Sequence, residues 1–341
     1  MQIGSSGASA RARGQILLIA ALVPVVIMLM FFAALYVYQE ESRGGRLVRD
    51  ADRSQAMLRQ QIDDAASELH VVLEGLQDDP QLVKALAEGD EALLTRRTAV
   101  SFPHLRDQHG VSHLYFTKPD RSALLRLDGA GKSGQVVERF SLFDAAESDG
   151  QADGIDLNTF GVVTLRVSVG WRDAEGKLLG FVEIGRDVAP MIDAVHRVMG
   201  LDIVLLVKKE MLDRDRWEEG LRQGGGQGDW DELSNAVSVA RTLPTIPTPV
   251  GLLIEDGQPA SHGGTTVVQV GKKAMAVSVR PLIDLQKKQI GDVVLLRDVT
   301  ETSRAMMRTL TLLIVFAVLL IAAGFLRCRH LLRDVSQDSE R

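Results

Sequence analysis

The chain has 341 residues, 45% of them hydrophobic and 25% charged, with a formal net charge of −6. That balance belongs to a globular protein rather than a disordered one. With no basic patch interleaved with aromatics, it also argues against a nucleic-acid partner. The single cysteine, Cys328, excludes a disulfide within the chain.

Two apolar runs bracket everything else. Ile16–Val37 holds 22 residues without a charge and Leu310–Leu326 another 17. At about 1.5 Å per residue they span roughly 33 and 26 Å, against a hydrocarbon core near 30 Å. Both are expected to cross a lipid bilayer. Arg11 and Arg13 precede the first run, and Arg327, Arg329 and Arg333 follow the second. Positive residues at span ends mark the cytoplasmic side, so both termini are expected inside and the long loop outside. Arg304 and Arg308, on the outer side of the second run, pull the other way. A cleaved signal peptide is the alternative for the first run. Its apolar region would be long, and Tyr36 and Tyr38 stand where small residues would be needed. A cysteine-free exterior suits a bacterial periplasm.

From Gln39 to Glu74 the pattern is helical, with Leu58, Ile62, Ala65, Leu69, Val72 and Leu76 on one face. Asp79-Pro80 ends it. Shorter helices are predicted over Gln81–Ala87 and Glu91–Asp107. The period then changes to two: His113–Thr117, Ala123–Leu127, Val162–Trp171 and Leu178–Ile184 read as strands. The polar stretch Asp149–Gly154 reads as a loop or lid. A helix over Asp187–Met199 introduces a loose recurrence. Asp202–Val207 and Ala236–Leu243 are predicted strands, with a helix over Glu210–Leu221 between them. Thr242–Val250 carries three prolines and cannot be a central strand. Thr265–Val270, Ala274–Pro281 and Gln289–Leu296 complete the strands. Antiparallel sheets fed by helices make the fold class α+β.

Several of these runs resemble a known family. His113-Leu114-Tyr115-Phe116, Pro119-Asp120-Arg121, Leu125-Arg126-Leu127, Thr164-Leu165-Arg166-Val167 and Gly180-Phe181-Val182-Glu183-Ile184-Gly185, with Arg216-Trp217-Glu218-Glu219-Gly220-Leu221 further on, are similar to the core of extracytoplasmic double Cache sensors. That group includes the double sensory domain of two-component kinases and related receptors. The similarity runs from about Leu47 to Val299. It implies two PAS-like antiparallel-sheet modules on a long N-terminal helix, flanked by two transmembrane helices, with ligand in the membrane-distal module. The implied division is an inner tail over 1–14, a span over 15–38 and the long helix with its following helices over 39–109. A distal module over 110–190, a proximal module over 191–304, a span over 305–327 and an inner tail over 328–341 complete it. Asp128 stands where the family pattern leads one to expect His, and Gly170 where it leads one to expect Pro.

Alternation puts Thr164, Arg166 and Ser168 on one face of their strand, with Trp171 on the other. Tyr115, Arg126, Asp128, Lys132, Arg166, Trp171 and Glu183 are the candidate ligand-binding residues. The guanidinium groups could grip a carboxylate or phosphate bidentately. The plainer alternative makes Arg166–Glu183 a solvated cross-strand ion pair, worth at most about 1 kcal/mol. No metal or cofactor is expected. His104, His109 and His113 straddle a helix-to-strand change, and Asp149, Asp153 and Asp156 do not fit a calcium loop. With no nucleophile elbow and no Walker-type loop, the chain is not expected to be an enzyme.

The leading expectation is therefore a bacterial inner-membrane sensor that binds a small, anionic ligand outside and signals inward. Fifteen residues after the second run leave no room for an output domain, so the effector is expected on another chain: a kinase, a cyclase or a chemoreceptor. A membrane-anchored scaffold of the cell envelope is the alternative. A homodimer along Leu58–Leu76 is also open, although the same face is needed to cover the chain's own sheet.

Overall fold

The structure is a computed structural model and describes residues 5–127, 141–142, 145, 150–158, 160–224, 228–256 and 265–338. It divides into two units: 1–47 with 298–341, and 48–297.

Helix α1 (Ser5–Gln77) runs without a break through the first apolar run and the predicted amphipathic helix. Its end is dictated locally. The Asp79 carboxylate accepts from the Gln81 backbone N–H, capping α2 (Pro80–Glu88) with Pro80 at its first position, where a missing N–H costs nothing. Asp90 caps α3 (Glu91–His109) in the same way, and left-handed Gly110 turns the chain into β1 (Val111–Thr117). β2 (Ala123–Arg126), β3 (Gln151–Leu157), β4 (Val163–Arg172) and β5 (Leu178–Asp187) follow. Together they form an antiparallel sheet of order β2-β1-β5-β4-β3.

A second set repeats the plan. After α4 (Ala189–Met199) come β6 (Asp202–Lys208), a 3-10 turn at Lys209–Met211, α5 (Arg214–Gly224) and β7 (Ala236–Arg241). Then come α6 (Thr248–Glu255), β8 (Thr265–Val270), β9 (Lys273–Ile283) and β10 (Gln289–Asp298). The order β7-β6-β10-β9-β8 is the first sheet's order with every number raised by five. The α+β class and the two-sheet plan are thus as expected.

One reading is corrected. Asp149–Gly154 is not simply a loop, because Gln151–Leu157 is edge strand β3, paired with β4 from Gln151↔Val169 to Leu157↔Val163. The proline-rich string is no central strand, as expected, and leads into helix α6, with Pro249 in its first turn. Of the two expected spans, one is found among the described residues. Thr300–Arg327, within α7 (Thr300–Asp338), is long and apolar enough to cross a membrane; Val23–Leu35 is a shorter apolar stretch.

A single apolar core runs beneath α1. Leu58, Ala65, Leu69, Leu73 and Leu76 meet Leu114, Phe116, Leu165, Val167, Val182 and Ile184 of the first sheet and Ile203, Leu205, Val293 and Leu295 of the second. The face of α1 bearing Leu58, Ala65, Leu69, Leu73 and Leu76 is thereby buried inside the chain, while Val71 on the same stretch is exposed. Ion pairs flank the buried face: Arg280 to Asp52 at 2.6 Å, Arg297 to Asp50 at 3.3 Å and Arg186 to Glu68 at 3.0 Å.

Leu69 is fully enclosed. Leu69→Ala is expected to cost about 2–5 kcal/mol, read as a lower denaturation midpoint through the fluorescence of the three tryptophans.

Candidate functional site

Each strand of the first sheet turns one side to the α1 core and the other away from it. On the away side, register alone builds two polar rows. Tyr115 stands opposite both Arg126 and Glu183, and Glu183 opposite Ser168. In the neighbouring row His113 stands opposite Gly185, and Gly185 opposite Arg166. Arg166 and Glu183 are therefore diagonal neighbours, within reach of long side chains.

The groups close on one another. Arg166 Nη1 donates to Glu183 Oε1 at 2.8 Å and to His113 Nε2 at 2.6 Å. Ser168 Oγ donates to Glu183 Oε2 at 2.9 Å, and Ser141 Oγ donates to the same oxygen. Asp156 Oδ2 lies 2.7 Å from Arg166 Nε, a charge contact outside hydrogen-bond alignment. A guanidinium can only donate, so His113 Nε2 must accept. Its imidazole is then neutral, with the proton on Nδ1, 3.3 Å from Ser112 Oγ. The ring lies against the Gly185 backbone, where a Cβ would come 1.7 Å from His113 Cε1. Only glycine fits there.

Burial decides what the pair is. Arg166 is 2% exposed and Glu183 0%, so the solvated-pair alternative does not hold. Two charges removed from water cost several kcal/mol each, offset only by mutual attraction and by completing each other's hydrogen bonds. Asp156 differs, at 28% side-chain exposure. Beside this core, the Arg126 guanidinium lies 4.9 Å over the Tyr115 ring and donates from Nη2 to its hydroxyl at 3.4 Å.

Of the candidate residues, Tyr115, Arg126, Arg166 and Glu183 come together. Trp171 does not: it is fully buried on the α1 side, edge-on to Phe116 with ring centres 5.9 Å apart. Asp128 and Lys132 lie outside the described residues. His113, Ser141, Ser168 and Asp156 belong to the cluster without having been singled out. His113 and Ser168 share the alternation of Tyr115 and Arg166 and could have been found from it. Asp156 needed β3 to be recognised as a strand, and no pattern marked Ser141.

Further along β3, a hydrogen bond from His70 on α1 holds the Asp153 carboxyl below its ordinary value, at an N···O distance of 3.4 Å.

Among the described residues the second sheet offers no counterpart. Its side away from α1 is packed with Val204, Leu206, Met275, Val277, Val279, Val294 and Leu296, with Val250 of α6 over them.

The profile of a family described as the double sensory domain of two-component sensor kinase matches residues 46–302. Among solved structures, the periplasmic domain of Vibrio cholerae LuxQ is 12% identical with a TM-score of 0.46, covering 73% of this chain and 99% of that one. The sensor domain of the Vibrio cholerae histidine kinase DctB is 13% identical with a TM-score of 0.34, covering 72% and 98%. The ligand-binding domain of the Campylobacter jejuni chemoreceptor Tlp3, solved with 4-methylisoleucine, is 11% identical with a TM-score of 0.35, covering 72% and 92%. No protein with a curated description matches the chain.

Glu183→Ala leaves a buried guanidinium without its innermost partner and is expected to cost about 3–5 kcal/mol in chemical unfolding. Because the Asp153 pKa is lowered on folding, its contribution is present above the unfolded value of 3.8 and is lost as pH falls through the folded one. Asp153→Asn should therefore lower stability at neutral pH, leave it little changed well below about pH 4, and so flatten the acid limb of the stability profile.

Proposed function

The chain belongs to the family described as the double sensory domain of two-component sensor kinase, and from that premise we propose that it is the signal-input protein of a bacterial cytoplasmic membrane. In this reading both termini are cytoplasmic, two helices cross the bilayer, and residues between them fold in the periplasm as a non-catalytic receptor. The polar face of the first sheet binds a small anion of the carboxylate class. A cytoplasmic kinase, the effector that the family description supports, receives the conformational change.

The observation that carries the ligand class is the unequal hold on Arg166. Glu183 is sealed in and satisfied on both oxygens. Asp156 is partly open to water, and its contact with Arg166 Nε lies outside hydrogen-bond alignment. A ligand carboxylate can take its place on Nε without unburying Glu183, with Tyr115 two strands away and Arg126 three strands away as a second contact. Bidentate hydrogen bonding would then favour the ligand over the misaligned Asp156. Sensing belongs to the first sheet because the equivalent side of the second is filled with aliphatic side chains.

The test is a thermal-shift titration of the full chain in detergent with small mono- and dicarboxylates, amines and phosphates. A carboxylate at 100 times its Kd should stabilise by about 2.7 kcal/mol, and Arg126→Ala should abolish the shift. A shift from amines alone would overturn the anion assignment, and none from any class would count against a small-molecule sensor. Protease added to intact spheroplasts should cut within residues 48–297; protection until lysis would refute the topology.

A further inference from the structure

We propose that Leu285, on the hairpin between β9 and β10, is a positioning residue for the polar site on the other sheet. It acts by holding strand β3. This rests on the reading of that polar face as the sensing site, but the joint itself can be tested without any ligand.

Four consecutive residues of β3 each grip something different. Asp153 takes His70 of α1 at 3.4 Å. Gly154 has no side chain, and a Cβ there would lie 2.3 Å from Leu285 Cδ1, so the leucine sits where that atom would be. The Ile155 carbonyl accepts from the Leu285 backbone N–H at 2.8 Å. Asp156 reaches Arg166. One short strand thus carries the site's most exposed carboxylate next to the point where the second module takes hold.

β3 is also the strand best suited to move. It is the sheet's edge, paired with β4 alone among the described strands, and two of its seven residues are buried. Edge elements with few apolar contacts lie at the low end of local stability. The hairpin that grips it is firm. Asp284 receives the Lys287 and Lys288 backbone N–H groups, one on its carbonyl and one on its carboxylate, and Lys287 adopts a left-handed φ of 63°. The turn that follows β3 is seated on the second module too. Gly161 lies under Trp217 of α5, and Gly220 of α5 lies against the Phe160 carbonyl. Both of these grips fall on the β3–β4 hairpin, and the strand leaving the gripping hairpin, β10, ends one residue before α7.

Leu285 therefore sets where β3 lies, and β3 sets how far Asp156 stands from Arg166. Anything that frees Asp156 should loosen the Leu285 contact, although the two side chains belong to different modules. Hydrogen exchange of the full chain in lipid nanodiscs reads this directly. Asp156→Asn should speed exchange of the Leu285 amide about tenfold, with the β1–β2 turn at 118–122 unchanged. In the reverse direction, Leu285→Ala should speed exchange across 151–157, and Leu285→Met should restore most of the protection. An unchanged Leu285 amide in Asp156→Asn overturns the proposal. So does an equal rise at 118–122, which would mean general destabilisation. Since no ligand enters, failure here leaves the anion assignment standing, and failure to find a ligand leaves the exchange result standing.

Discussion

A guanidinium and a carboxylate share the dry side of the first sheet, and neither could stay there alone. An isolated buried charge costs several kcal/mol, a large share of the roughly 5–15 kcal/mol by which domains are typically stable. Arg166 and Glu183 therefore demand each other, and their remaining valences demand Ser168, Ser141 and His113. These demands fix geometry. A one-residue slip of β4 against β5 would turn Arg166 into the apolar core and leave Glu183 facing nothing. The imidazole that completes the guanidinium needs a bare backbone beneath it, which is why position 185 is glycine. The polar rows thus specify their own sheet's register and arrive rigid, which is what a recognition surface needs.

The second sheet shows what the same strand order does without that demand. Its buried arginine, Arg280, lies on a strand topologically equivalent to the one bearing Arg166, yet it finds Asp52 of α1 instead of a strand carboxylate. The side away from α1 is then free to fill with valine, leucine and methionine under α6. One repeat pairs its buried arginine with a strand carboxylate on the face away from α1, and the other uses its arginine to fasten the long helix. The asymmetry follows from which face the arginine occupies.

Much of this was legible. Period-two alternation placed Tyr115, Arg126, Arg166 and Glu183 on common faces, and capping signals at Asp79-Pro80 ended the long helix within a few residues of where it stops. The misses have physical causes. Gln151–Leu157 reads poorly as a strand because Asp153, Gly154 and Asp156 have low strand propensity. They stand there for what they grip: His70, Leu285 and Arg166. Trp171 drew notice as an aromatic near the site, although its parity already placed it with Val167 and Val169 in the core. Burial of the Arg166–Glu183 pair is invisible to alternation, since it depends on what covers the face.

How such a site could move anything follows from which contacts are exchangeable. A ligand shifts a conformational equilibrium only by its differential affinity for the two states. Displacing Glu183 would strand a buried charge in both, so it offers no useful difference. On the proposed reading, Asp156 is the group whose contact would differ between a docked and a released β3. A ligand carboxylate on Arg166 Nε would compete with it in one state and not in the other. The strand so released is the one that the second module holds by Leu285 and by the Gly161–Trp217 contact. α1 meanwhile stays fastened at Asp50, Asp52 and Glu68. The fold therefore separates a helix pinned along both sheets from an edge strand that is paired with β4 and gripped by the second module at Gly154 and Ile155. A weak binding event has its leverage on the edge strand.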